Sequence, residues 1–138
     1  MTAAIPMIRD ESEQSAPRAK ILVIDDNAVL ARSFARMLRM HDTTVETDPV
    51  KAVQRLLAGE QFDVVMCDLR MPNMDGREVL KTIRNHFAGR TGMPHIIMMS
   101  GSDEISSDEL DTPVLLKPCY STEVRAMVNR LVDSRPSA

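Results

Sequence analysis

The stretch Ile21-Leu22-Val23-Ile24-Asp25-Asp26-Asn27 sets a continuous apolar, mostly β-branched run against an abrupt acidic end. A run without polar alternation reads as a strand covered on both faces, as in a parallel sheet. The same grammar returns three times: Phe62–Cys67 ends in Asp68, His95–Met99 in Ser100-Gly101, and Val114–Leu116 in Lys117-Pro118. Thr43–Thr47 is more polar, as an edge strand is.

Between these runs the apolar spacing turns helical. Leu30, Phe34, Met37, Leu38 and His41 form one stripe, with Arg32, Arg36 and Arg39 mostly off it. Asp48-Pro49 supplies an N-cap and a first-turn proline for a helix whose stripe is Val50, Val53 and Leu57 and whose stop is Gly59. Asp75-Gly76 reads as turn chemistry, with Gly76 giving backbone freedom, before a helix that turns Val79, Leu80, Ile83 and Phe87 inward. Asn85–Gly92 reads as a turn. Ser106-Ser107-Asp108-Glu109 has the form of a capping box, but Pro113 leaves room for about two helical turns at most. The last helix starts near Ser121 and carries Val124, Met127, Val128, Leu131 and Val132. Five strands alternating with five helical segments predict an α/β, doubly wound, five-stranded parallel sheet with helices on both faces and a shortened fourth helix.

A chain of 138 residues, 43% hydrophobic and 27% charged, holds one domain of this kind. The expected organisation is a disordered N-terminal tail over 1–18, a folded domain over 19–134 and a short C-terminal tail over 135–138. No output domain is expected. Two cysteines, Cys67 and Cys119, do not make a disulfide framework and fit a reducing, cytoplasmic setting. Met1–Ile8, broken by Pro6, is neither a secretory nor a transit segment, and no apolar run reaches the roughly 20 residues of a membrane span. A net charge of −3, scattered Lys and Arg and 3% aromatic residues argue against nucleic-acid binding.

Open α/β sheets bind ligands at the carboxyl ends of their strands. That rule selects Asp25, Asp26, Asp68, Ser100 and Lys117. Carboxylates sharing a cleft repel by roughly 4 kcal/mol per pair at 4 Å and an effective dielectric of 20, unless a cation joins them. An all-oxygen set favours Mg2+, with Mn2+ able to serve. With Lys117 and the Ser100 hydroxyl opposite, the set suits a tetrahedral anion attached to Asp68, that is, phosphoryl transfer to an aspartate. Cys67, one residue before Asp68, alternates away from the cleft and reads as core. His41, His86 and His95 lack metal-ligand spacing.

An acidic pair after the first strand, an Asp after the third followed by Met71-Pro72-x-Met74-Asp75-Gly76, a Ser after the fourth and Lys-Pro after the fifth resemble the receiver domains of bacterial two-component response regulators, of the single-domain, chemotaxis-regulator-like kind. The resemblance covers about Ala19–Asp133. It implies a flavodoxin-like sheet of order 2-1-3-4-5, with Asp68 as phosphoacceptor. Asp26 would be a direct magnesium ligand, Asp25 the holder of metal or its water, and the Arg70 carbonyl a further ligand. Lys117 would contact the phosphoryl group through a cis Lys117-Pro118 bond, and Ser100 would move toward it on activation. It further implies a histidine kinase as phosphodonor, an unidentified downstream protein as partner, and no catalysis beyond the chain's own phosphorylation and dephosphorylation. Its oligomeric state is left open.

Three features depart from the family pattern. Ser100 and Lys117 are 17 positions apart, several fewer than usual. Val114 stands where an aromatic residue is common, and Cys119 where Phe or Leu is. They bear on the output face rather than on the phosphorylation chemistry. Arg70 and Ser102, two positions beyond Asp68 and Ser100, would line the path of the hydrolytic water, where Arg70 either screens the phosphoryl group or simply faces solvent. Three other readings stay open: a relay intermediate or phosphate sink, a phosphorylation-independent interaction module, and an aspartyl-phosphate hydrolase. Against the last, such enzymes place the nucleophile after the first strand with a second Asp two residues on.

Overall fold

In the computed structural model, which describes residues 18–101 and 105–133, the strands are β1 (Lys20–Ile24), β2 (Asp42–Glu46), β3 (Val64–Asp68), β4 (His95–Ser100) and β5 (Val114–Leu116). The helices are α1 (Ala28–Met37), α2 (Pro49–Leu57), α3 (Gly76–Phe87), α4 (Ser107–Leu110) and α5 (Ser121–Asp133). All strand pairs are parallel, in the order β2-β1-β3-β4-β5. This is the expected sheet, and α4 is a single turn.

Side-chain alternation divides the core in two. Leu22, Ile24, Val65, Cys67, Ile96 and Met98 pack with α2, α3 and α4 through Ala52, Val53, Leu56, Val79, Leu80, Ile83 and Leu110. Ile21, Val23, Val64, Met66, Ile97 and Met99 pack on the opposite face with Ala31, Phe34, Leu38, Val124, Val128 and Val132 of the α1 and α5 segments. Cys67 therefore lies on the α2–α3 face, fully buried, as its parity predicts.

Two stripes are rotated from their expected positions. On α1 the buried face runs through Ala31 and Phe34, while Leu30 is 37% exposed. On α2 it runs through Ala52, Val53 and Leu56, while Val50 and Leu57 are 41% and 42% exposed. In both, an alanine belongs to the buried face while Leu30, Val50 and Leu57 turn outward. His41 lies beyond the helix that was expected to carry it. Its buried Nδ1 accepts from the Ala19 N–H at 3.1 Å, and its Nε2 lies 3.4 Å from Asn129 Oδ1, a core role rather than a metal one.

Asn27, Asp48, Asp75 and Ser106 cap α1, α2, α3 and α4 with their side-chain oxygens. The third helix continues through Phe87, so Asn85–Phe87, expected in a turn, are helical, and the turn follows with Gly89 and Gly92 at positive φ. Lys117-Pro118 is cis. The expected terminal tails, apart from Arg18, and the reading of Ser102 lie outside the described residues.

Candidate functional site

Asp25 and Asp68 occupy equivalent places on neighbouring strands. Ile24 pairs with Cys67 in the β1–β3 register, and each aspartate is the next residue, so the two carboxylates emerge side by side at the carboxyl edge of the sheet. Asp25 is 0% exposed and Asp68 8% exposed. Asp26, where the chain has left the strand, is exposed. Among the described residues, Asp25, Asp26 and Asp68 each offer an oxygen within 4.8 Å of the others.

From the far side comes Lys117, whose Nζ donates to Asp68 Oδ1 at 3.0 Å and to Asp25 Oδ2 at 3.3 Å. The backbone N–H of Lys117 donates to the Ser100 carbonyl at 2.7 Å, so the end of β4 fixes where the lysine leaves β5. Ser100 itself is buried at that strand end. The other oxygen of Asp25, Oδ1, accepts from the Asn27 N–H at 3.0 Å. Both Asp25 oxygens are thus held in place, while Asp26 faces solvent.

Among the described residues, three carboxylates against one ammonium give the cluster an excess of negative charge, which acts on its protonation together with burial. Burial pushes the Asp68 carboxyl above the ordinary aspartate range; Lys117 opposes this, and Asp25 and Asp26 reinforce it. Burial pulls the Lys117 ammonium down, but the hydrogen bond and charge of Asp68, with Asp25, outweigh it and hold the lysine above its usual value. Both shifts favour bound protons, at Asp68 chiefly through burial and at Lys117 through its carboxylate neighbours. A divalent cation answers the same excess, and an oxygen-only set with one exposed carboxylate fits magnesium better than zinc or copper.

A folded-state value above the unfolded one means that this contribution to stability is complete below the ordinary aspartate pKa and is lost as pH rises through the folded value. At neutral pH without metal, ionised Asp68 therefore weakens the fold. Asp68→Asn is expected to raise the metal-free Tm at pH 7, with the difference closing as pH falls toward 4. Thermal scans in chelator across that range check the sign, and a variant no more stable at pH 7 contradicts it.

A family model described as response regulator receiver domain matches residues 21–129 of the chain. The chain belongs to that family. Regulatory protein VirG of Agrobacterium fabrum is 30% identical over 145 residues, spanning 99% of this chain and 53% of its own length. A putative transcriptional regulator of Haloferax volcanii is 33% identical, spanning 90% of this chain and 21% of its own. This receiver thus covers about half or less of the length of these curated relatives. Among solved structures, a response regulator receiver protein from Sinorhizobium medicae is 26% identical at a TM-score of 0.74, covering 88% of this chain and all of its own. The receiver domain of a sensor histidine kinase from Pseudomonas aeruginosa, solved with a magnesium ion coordinated in its active site cleft, shares the fold at a TM-score of 0.71 and 24% identity, covering 86% of this chain and 100% of its own.

In this receiver the structure brings Asp25, Asp26, Asp68 and Lys117 together as the sequence places them. Arg70 lies in an adjoining cleft of about 510 Å³ with Met71, Asp75, Arg77 and Ile105, whose lining does not include the three carboxylates. The Cys67 thiol is held far above the usual range by burial, with Asp68 and Asp25 adding to it, so it is inert.

Gly76 plays a different part from the turn residue that its sequence context suggests. It is not among the positive-φ residues. A Cβ there would lie 2.7 Å from the Asp68 carbonyl oxygen, 2.7 Å from Met98 Sδ and 2.8 Å from Leu69 Cα. What Gly76 supplies is room for the first turn of α3 against the backbone of the site, with its N–H donating to Leu69 O at 2.7 Å. The only sequence signal for this is a glycine directly after a capping Asp, where turn chemistry gives the same pattern.

Proposed function

We propose that Asp68 is the phosphoacceptor of this receiver and takes a phosphoryl group from the phosphohistidine of a histidine kinase. A carboxylate oxygen of Asp68 attacks phosphorus; the O–P bond forms as the P–N bond breaks, and the donor imidazole leaves, regaining its proton from solvent. The observation that carries the reading is Lys117 Nζ held 3.0 Å from Asp68 and 3.3 Å from Asp25. That position puts an ammonium beside the carboxylate that would carry the phosphoryl group, where it would neutralise one phosphoryl oxygen.

Asp25, Asp26, Asp68 and the Arg70 carbonyl are the groups we assign to Mg2+, with Mn2+ as substitute; when bound, the ion supplies positive charge to a second phosphoryl oxygen. The Ser100 hydroxyl is assigned to a third. Magnesium in the cleft of the Pseudomonas receiver domain supports the choice of ion. Two free cysteines fit a cytoplasmic setting, and among the described residues no helix is long and apolar enough to cross a membrane. We assign the output to altered contact with a partner protein, for which Leu116 and Tyr120, 50% and 69% exposed beside the site lysine, offer apolar surface.

Incubation with acetyl phosphate and magnesium, read on a phosphate-affinity gel, should give a slower band. Asp68→Asn or chelator should abolish it, with labelling down about 100-fold or more. A band that survives Asp68→Asn sinks the assignment. Partner binding that ignores a beryllofluoride mimic would favour a phosphorylation-independent module.

A further inference from the structure

The third helix touches both ends of the machinery. Its first turn lies against the phosphoacceptor backbone: Asp75 caps it, the Gly76 N–H donates to Leu69 O, and no side chain fits between Gly76 and the Asp68 carbonyl. Eight residues on, about 12 Å along the axis, Arg84 Nη2 donates to Leu110 O at 2.6 Å and to Asp111 O at 2.8 Å.

Those carbonyls close α4. A one-turn helix has almost no internal hydrogen bonds and leaves its last carbonyls unpaired, so its position depends on what caps it from outside. Here the cap is a guanidinium, which suits a helix C-terminus by charge and makes charge-assisted bonds. Asp111 adopts the left-handed conformation at φ 53° that turns the chain back, and Thr112 Oγ1 donates to Ile96 O at 2.6 Å. The chain then runs through β5 to Lys117, which pairs with Asp68. The connections form a closed circuit: Asp68, α3, Arg84, the end of α4, β5, Lys117 and back to Asp68.

We propose that α3 is a rigid link in this receiver, and that Arg84 is the latch through which a shift of the Asp68–Leu69 backbone is passed to α4 and the start of β5. The proposal rests on Asp68 being the phosphoacceptor. Arg84 is a positioning residue: it acts through the Leu110 and Asp111 carbonyls that it holds.

Amide hydrogen exchange on the full chain, with and without magnesium and beryllofluoride, tests the link in wild type, Arg84→Gln and Arg84→Lys. In wild type the mimic is expected to slow exchange over 69–80 and over 105–113. In Arg84→Gln the first response persists, ligand-free exchange over 105–113 runs about tenfold faster, and the response there shrinks by about threefold or more. Arg84→Lys, which keeps the charge but not the planar fork, falls between. An undiminished response over 105–113 in Arg84→Gln overturns the latch, and so does a wild type in which only 69–80 responds. A wild type silent at 69–80 also overturns the latch, whereas failure of the phosphoacceptor assignment shows separately, as labelling that survives Asp68→Asn.

Discussion

Lys117→Met is expected to lower the stability of the metal-free receiver by about 2–4 kcal/mol at neutral pH. Methionine keeps most of the volume of the lysine stem, so the loss is one of charge and hydrogen bonding rather than of packing. Asp25 is wholly buried and Asp68 nearly so, and the ammonium is 3.3 Å and 3.0 Å from their oxygens. Removing it leaves two adjacent carboxylates, with Asp26 close by, without their lysine partner. The lysine is held above its usual pKa, so at pH 7 its contribution is present in full, and it fades only as pH rises through that raised value. Added magnesium should narrow the deficit by about half or more, because a divalent cation relieves the same repulsion. Urea titrations in chelator and in magnesium read both effects. A variant as stable as wild type in chelator, or a deficit untouched by magnesium, contradicts this account of the cluster.

What the sequence disclosed, and what it did not, follows from the range of each interaction. Strand ends were legible because a buried apolar run has to stop where the chain meets polar chemistry; Asp25, Asp68, Ser100 and Lys117 all mark such stops. Parity along a strand placed Cys67 on the face away from the cleft. Helix faces were less legible. Size is a poor guide to the face a helix buries: Ala31 and Ala52 are buried while Leu30 and Val50 are exposed. Least legible were contacts between distant segments. Arg84 meets carbonyls 26 and 27 residues away, and Gly76 is required by a backbone approach that exists only once β3 and α3 are packed. The charges of the site could be read in order along the chain; the backbone that holds them could not.

Gly76→Ala tests that backbone directly and should be among the most damaging single-methyl additions in the molecule. In an open helix the change would help by up to about 1 kcal/mol, since alanine is the better helix former. Here the added methyl would lie 2.7 Å from the Asp68 carbonyl oxygen and 2.8 Å from Leu69 Cα, both backbone atoms, besides 2.7 Å from Met98 Sδ. The methionine sulfur has rotamers to move to; the backbone at the end of a central strand, bonded through the Leu69 N–H to Met99 O at 2.8 Å, does not. The expected net cost is about 1–3 kcal/mol of stability. Displacing Asp68 relative to Lys117 should also slow phosphorylation by acetyl phosphate about 10- to 100-fold, because reacting groups lose their alignment over fractions of an ångström. Shortening the sulfur-bearing side chain separates the two obstacles. If Met98 were the whole obstruction, adding Met98→Ala would restore the labelling rate of Gly76→Ala, whereas a backbone clash predicts only partial recovery. A Gly76→Ala protein that matches wild type in both urea midpoint and labelling rate would mean that α3 can back away from the site at no cost, and that its close seat against Asp68 is incidental to the chemistry.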